Sequence, residues 1–117
     1  MVNSKRYDLE ERTFKFAKEV VQFVKTIPRT LANNEIAKQV IRSSGSIGAN
    51  YIEANEALSR KDFIMRIKIC RKEAKESTYW LKLIEVKTEE EERKRKSLID
   101  EATQLMKIFN AIVEKPN

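Results

Sequence analysis

The chain has 117 residues, with 24 Lys and Arg against 18 Asp and Glu, one cysteine, no histidine, two glycines and two prolines. That length supplies one ordinary core, a single domain over residues 1–117, and the scarcity of Gly and Pro favours long helices. Without histidine the usual general base and commonest metal ligand are missing. A lone cysteine makes neither an intrachain disulfide nor a cysteine metal cage, so no cofactor or small-molecule substrate is expected and most enzyme classes are disfavoured.

The amino-terminal stretch "MVNSKRYDLEER" lacks the apolar block of a secretory signal. No apolar run approaches the roughly 20 residues that cross a bilayer, so a cytoplasmic protein without membrane contact is expected. Leu9, Thr13, Phe16, Val20, Phe23 and Ile27 then step by four and three, the rhythm of one buried helical face, until Pro28 removes an amide donor. After "PRTLANN", Asn34 is the expected cap of a second helix on which Ile36, Val40, Ser43, Ile47, Tyr51, Ala54 and Leu58 repeat the rhythm. The repeat passes through Gly45 and Gly48 without losing register. A continuous helix is therefore favoured over a kink between two shorter ones, and over a phosphate cradle, since "SSGSIGAN" lacks the Lys-Ser/Thr of a P-loop.

Ser59 and Asp62 resemble a capping box ahead of a third helix carrying Phe63, Ile67, Cys70, Ala74, Ser77, Leu81 and Ile84. "KTEEEERKRK" reads as a turn and an acidic first turn, which suits the helix dipole. Leu98, Ala102, Leu105, Phe109 and Ile112, widened by Ile99, Met106 and Val113, form the fourth helix. Short connections between four amphipathic helices predict an all-α, antiparallel up-down-up-down four-helix bundle.

The basic excess is concentrated in residues 59–87, nine cations against four anions. At about 100° per residue, Lys61, Lys68, Lys72, Lys75 and Lys82 lie opposite Cys70 with Tyr79 among them, and Arg60 and Arg71 on their shoulder. Such a stripe, about 30 Å long, suits a nucleic-acid backbone. On the other shoulder Met65, Ile69, Trp80 and Leu83 form a second apolar seam that a monomeric bundle would leave exposed, and Phe14 and Val21 flank the main face of the first helix. Gly45 and Ala49 point away from the core, where a glycine costs a helix about 1 kcal/mol against alanine, so a close neighbour is expected there. Together, Gly45, Ala49, Met65, Ile69, Trp80 and Leu83 are the candidate contacts of a homo-oligomer.

Two ExxE pairs, Glu53 with Glu56 and Glu73 with Glu76, loosely resemble the acidic pairs of all-α nucleotide pyrophosphohydrolases. The wheel places Glu53 and Glu56 outside the bundle, and no metal site is expected. Cys70, on the core stripe, reads as a small buried hydrophobe.

"SSGSIGANYIEANEA" followed by "SRKDFIMRIKICRKEAKESTYWLKLI" resembles the bacterial 23S rRNA intervening-sequence proteins, a family similar to the accessory variability protein of diversity-generating retroelements. Ser46, Ile47, Gly48, Ala49, Asn50, Tyr51, Ile52, Glu53 and Ala54 stand where the family resembles a "SIPANIAEG" pattern, with Gly48 in place of a frequent proline and Asn55 where glycine is usual. Glu73, Ala74, Glu76, Tyr79, Trp80 and Leu81 fall on its third-helix pattern. The resemblance implies one continuous second helix, a homopentamer around a central channel, a basic surface for nucleic acid, and no enzyme. Residues and resemblance point to a non-enzymatic oligomer that binds RNA or DNA backbone through Lys61, Lys68, Arg71, Lys72, Lys75 and Lys82. The alternatives are an interaction scaffold that ignores nucleic acid, and a metal-dependent pyrophosphohydrolase.

Overall fold

The computed structural model describes residues 4–116. Four helices, α1 (Ser4–Val24), α2 (Leu31–Asn55), α3 (Arg60–Leu83) and α4 (Glu89–Glu114), account for nearly all of them. Each packs on its neighbours in sequence, α4 closes back on α1, and the diagonal pairs make no backbone contact among the described residues. The result is an up-down-up-down bundle measuring 47 × 23 × 20 Å. No described helix is long and apolar enough to cross a membrane.

The core is the periodic set read from the sequence. Phe16, Val20, Val40, Ile47, Ile67, Cys70, Leu81, Leu98, Leu105 and Phe109 are fully enclosed, and Tyr51 tilts against Phe109 with ring centroids 5.9 Å apart. Burying such side chains is worth about 1.5–3 kcal/mol each, which is what holds four individually marginal helices together.

Three boundaries differ from the sequence reading. Helix α1 ends at Val24, and Ile27 is buried from the turn beyond it. Leu58, assigned to the second core stripe, lies past the end of α2 and is 99% exposed. The cap of α2 is Thr30, not Asn34: its hydroxyl accepts the Asn33 amide at 3.0 Å. Ser59 and Thr88 cap α3 and α4 in the same way, through the amides of Asp62 and Glu91. Helix α2 runs unbroken through Gly45 and Gly48.

Asn33 itself is buried. Its Nδ2 donates to the carbonyls of Pro28 and Glu85, both at 3.0 Å, while its Oδ1 accepts the Glu85 amide at 2.9 Å. One side chain thus clasps the α1–α2 and α3–α4 connections at the same end of the bundle. Removing it takes the partner from three part-buried backbone groups, at up to about 1–3 kcal/mol for each that water does not reach. Asn33→Ala is therefore expected to lower stability by about 2–3 kcal/mol in urea unfolding, while Asn34→Ala, at an exposed site, changes it by less than about 0.5 kcal/mol. Equal effects from the two would refute the clasp.

Candidate nucleic-acid interface

Helix α3 is oriented by polar contacts with α2. Ser43 and Ser77 hydroxyls, both buried, lie 2.8 Å apart, and the Cys70 thiol donates to the Ile47 carbonyl at 3.4 Å. Arg66 donates to Asn50 Oδ1 at 2.9 Å. Arg42 donates to both oxygens of Glu73, at 3.3 and 3.4 Å, and to Glu76 at 3.2 Å. On the other side, Arg71 donates to Asn110 Oδ1 of α4 at 2.8 Å. Arg95 of α4 donates to the Lys82 and Ile84 carbonyls, satisfying groups that the end of α3 leaves open.

With α3 held so, Lys61, Lys68, Lys72, Lys75 and Lys82 are all exposed. Four of them, Lys61, Lys68, Lys75 and Lys82, recur every seventh residue, a rise of about 10 Å and a drift of about 20° per step, so they form a nearly straight ladder on the α4 side of the helix. Among the described residues, none of the five lysines has a carboxylate within 4.0 Å, whereas Arg12, Lys38, Arg42, Lys94, Arg95 and Lys96 all do. Beside the first rungs the surface dips into a hollow of about 580 Å³ whose lining mixes Arg60, Lys61, Asp62, Lys68 and Lys115 with the apolar Ile64, Met65, Val113 and Pro116. Arg71, tied to Asn110, is the least free of the predicted cations.

The apolar seam is less open than the sequence implies. Met65 and Leu83 are 50% and 46% exposed, but Ile69 and Trp80 are half-buried and Trp80 packs against the core. The large exposed indole expected from the sequence is therefore corrected: its Nε1 is shielded and unpartnered, and its ring meets Tyr79 edge-on at 5.1 Å. Gly45 and Ala49 are exposed, and a Cβ added at Gly45 would meet nothing within 4 Å. The close approach inside the protomer is at Gly48, where an added Cβ would stand 3.0 Å from Thr13 Oγ1. That hydroxyl is fixed by the Leu9 carbonyl at 2.7 Å. Gly48 lies about 100° from Ile47, the position at which a neighbouring helix meets α2, and this geometric signal was available in the sequence.

The two acidic pairs sit in different surroundings. Glu73 is 5% exposed, and it converges with Glu76 on Arg42, whose guanidinium is held above its ordinary value chiefly by the Glu73 hydrogen bond. Glu53 and Glu56 are exposed. Among the described residues, no group of three or more Cys, Asp or Glu side chains could hold a metal ion.

The profile of the 23S rRNA-intervening sequence protein family matches residues 5–111. The chain belongs to that family. A crystal structure of a protein of unknown function from Bacteroides thetaiotaomicron, described as an S23 ribosomal protein family member, superimposes with a TM-score of 0.78 at 34% identity. The match covers 95% of this chain and 99% of that one. No functionally curated protein matches. In this family member the second and third helices, whose sequence patterns carried the resemblance, are also the pair joined by the polar seam.

Burial pushes the Cys70 thiol up to about 12. At pH 8 an ordinary thiol, with pKa about 8.5, is about a quarter ionised, whereas this one is ionised in about one molecule in ten thousand. A thiol-disulfide reagent at pH 8 is expected to find no reactive thiol in the folded chain and one after denaturation. Rapid labelling of folded protein would contradict the burial.

Proposed function

We propose that this chain is a non-enzymatic, cytoplasmic homo-oligomer that binds nucleic-acid backbone through the lysine ladder of α3. The observation that carries this reading is the straight run of exposed lysines, free of carboxylate partners among the described residues, on a helix whose acids are turned toward α2. An unpaired lysine facing a phosphate releases condensed counterions on binding, which favours association without any reading of sequence. The rungs present a single exposed ring, Tyr79, which meets Trp80 edge-on, while Phe63 lies under Arg60. Base stacking is accordingly a minor contributor. The family's description refers to 23S rRNA, a polyanion of the chemistry that such a ladder attracts. The exposed apolar residues beside the ladder support self-association, and five subunits is the number that the family resemblance implies.

The reading is tested by replacing Lys61, Lys68, Lys75 and Lys82 with Gln and measuring binding to duplex and single-stranded RNA and DNA from low to moderate salt. The variant is expected to bind more weakly, with the slope of log affinity against log salt reduced by about 2–4. An unchanged slope would remove the ladder from the site. Failure of the wild-type chain to bind any of these probes at low salt would favour the scaffold reading. Pyrophosphate release from nucleotides with Mg²⁺, abolished by Glu73→Gln, would favour the hydrolase instead.

A further inference from the structure

The lysine ladder is not uniform between its rungs. On the same side of α3, Ile64 and Met65 lie between Lys61 and Lys68, Arg71 and Lys72 between Lys68 and Lys75, and Thr78 and Tyr79 between Lys75 and Lys82. Only the first interval is aliphatic, and it is there that the surface sinks. The apolar lining of the hollow, about 580 Å³ in volume, comes from Ile64 and Met65 and from Val113 and Pro116 at the far end of the neighbouring α4. Arg60, Lys61, Lys68 and Lys115 complete it, against one carboxylate, Asp62. One wall is fixed in place. Arg60 donates to the Lys115 carbonyl at 3.5 Å, which ties the start of α3 to the end of α4, and its guanidinium lies 5.6 Å from the centre of the Phe63 ring.

We propose that this hollow seats one unpaired nucleobase of a bound strand, with Lys61 and Lys68 holding phosphates on either side of it. The inference rests on the nucleic-acid reading above and adds which part of the ligand goes where. An aliphatic lining beside four cations suits a ligand that is apolar in one part and anionic in the next, and a nucleotide within a strand is such a ligand. The volume is that of a small-molecule site. The two rungs stand about 10 Å apart along the helix, so they draw the phosphates to its margins, while Asp62 disfavours a phosphate inside it.

The occupant must come from an unpaired strand. A base in a duplex is stacked and paired, and turning it out costs a few kcal/mol, so the hollow favours single strands and frayed ends. Its aliphatic side chains offer no pattern of donors and acceptors by which to tell one base from another, and the preference is for an open strand, not for a sequence. Tyr79, exposed between Lys75 and Lys82, is the competing seat, separated from the hollow by the cationic interval of Arg71 and Lys72.

The test compares a short oligothymidylate with a strand of equal length built from abasic residues, which carries the same phosphates and no bases, at one salt concentration. The wild-type chain is expected to bind the thymidylate about three- to tenfold more tightly, the effect of burying part of one ring. Ile64→Gln with Pro116→Ser should abolish that difference and leave the salt dependence, which the lysines set, unchanged. Ile64 is half-buried, so Met65→Gln with Pro116→Ser, at two exposed positions, takes over if the first variant does not fold. Both strands meet the same assembly, so a change of oligomeric state moves both affinities alike. Methyl NMR reads the site without substitution: the Met65 methyl should shift with thymidylate and not with the abasic strand, and that of Met106, which lies outside the lining, with neither. Equal binding of the two strands by the wild type, or a preference that the hollow variants keep and Tyr79→Ala removes, would overturn the seat and leave the ladder standing. Binding of neither strand at low salt would overturn the nucleic-acid reading and the seat together. A Met65 methyl that responds to decanoate while the two strands bind equally would assign the hollow to an amphiphilic carboxylate instead.

Discussion

The polar seam between α2 and α3 decides what the rest of the molecule presents. Hydrophobic packing fixes that two helices meet but tolerates a slip of one turn, since leucines and isoleucines replace one another at similar volume. A slip of that size here would part Ser43 from Ser77, Arg42 from Glu73 and Asn50 from Arg66, leaving polar groups stranded in or near the core. Stranded buried groups are costly where a made bond is only modestly favourable, so the seam works mainly by penalising every other register. The rotation of α3 follows, and with it the separation of a lysine ladder toward α4 from an apolar flank toward α2.

The other contacts hold this pair within the bundle. Gly48 lets α1 come close enough for Thr13 to lie against α2, and Asn33 ties the two connections at one end. Across the α1–α4 side, Arg12 grips Glu101 with two bonds of 2.7 and 2.9 Å. That pair is partly exposed and screened by water, so it contributes less than its geometry suggests. The polar contacts that specify the register are therefore concentrated on α2 and α3, the helices from which the proposed ladder and much of the proposed contact surface project.

The sequence made the core legible because a buried helical face has a period, and Leu9 through Phe23, Val40 through Ala54 and Leu98 through Phe109 keep it. It gave less away where a residue's partner comes from elsewhere in the chain. Glu73 reads on its own helix as a charged shoulder, and only Arg42, from the neighbouring helix, explains how a carboxylate can be buried. Asn33 and Asn34 are the same residue type side by side. Which is clasped depends on Glu85, far along the chain, and the cap falls to Thr30 upstream of both. Trp80 was misjudged because a helical wheel places a side chain by angle alone, while a wide indole at the edge of the stripe can still reach the core. The ladder was legible as charge. That its lysines lack carboxylate partners was not, because pairing depends on where the acids of other helices fall.

The acids and bases of α3 are sorted in a way that composition conceals. A helix carrying both signs usually neutralises itself through pairs three or four residues apart. Here Glu73 and Glu76 are drawn to Arg42 across the seam, so they do not neutralise the lysines of their own helix. The field of the ladder is thus set by an interaction on the opposite side of α3. In the homo-oligomer proposed above, each copy would repeat that field. A long polyanion meeting several copies would bind with an effective concentration that no single ladder provides. Modest contacts per protomer would then suffice for the tight, salt-sensitive association proposed. Strong sequence readout is not required, which agrees with a surface offering several ammonium groups and one exposed ring, that of Tyr79.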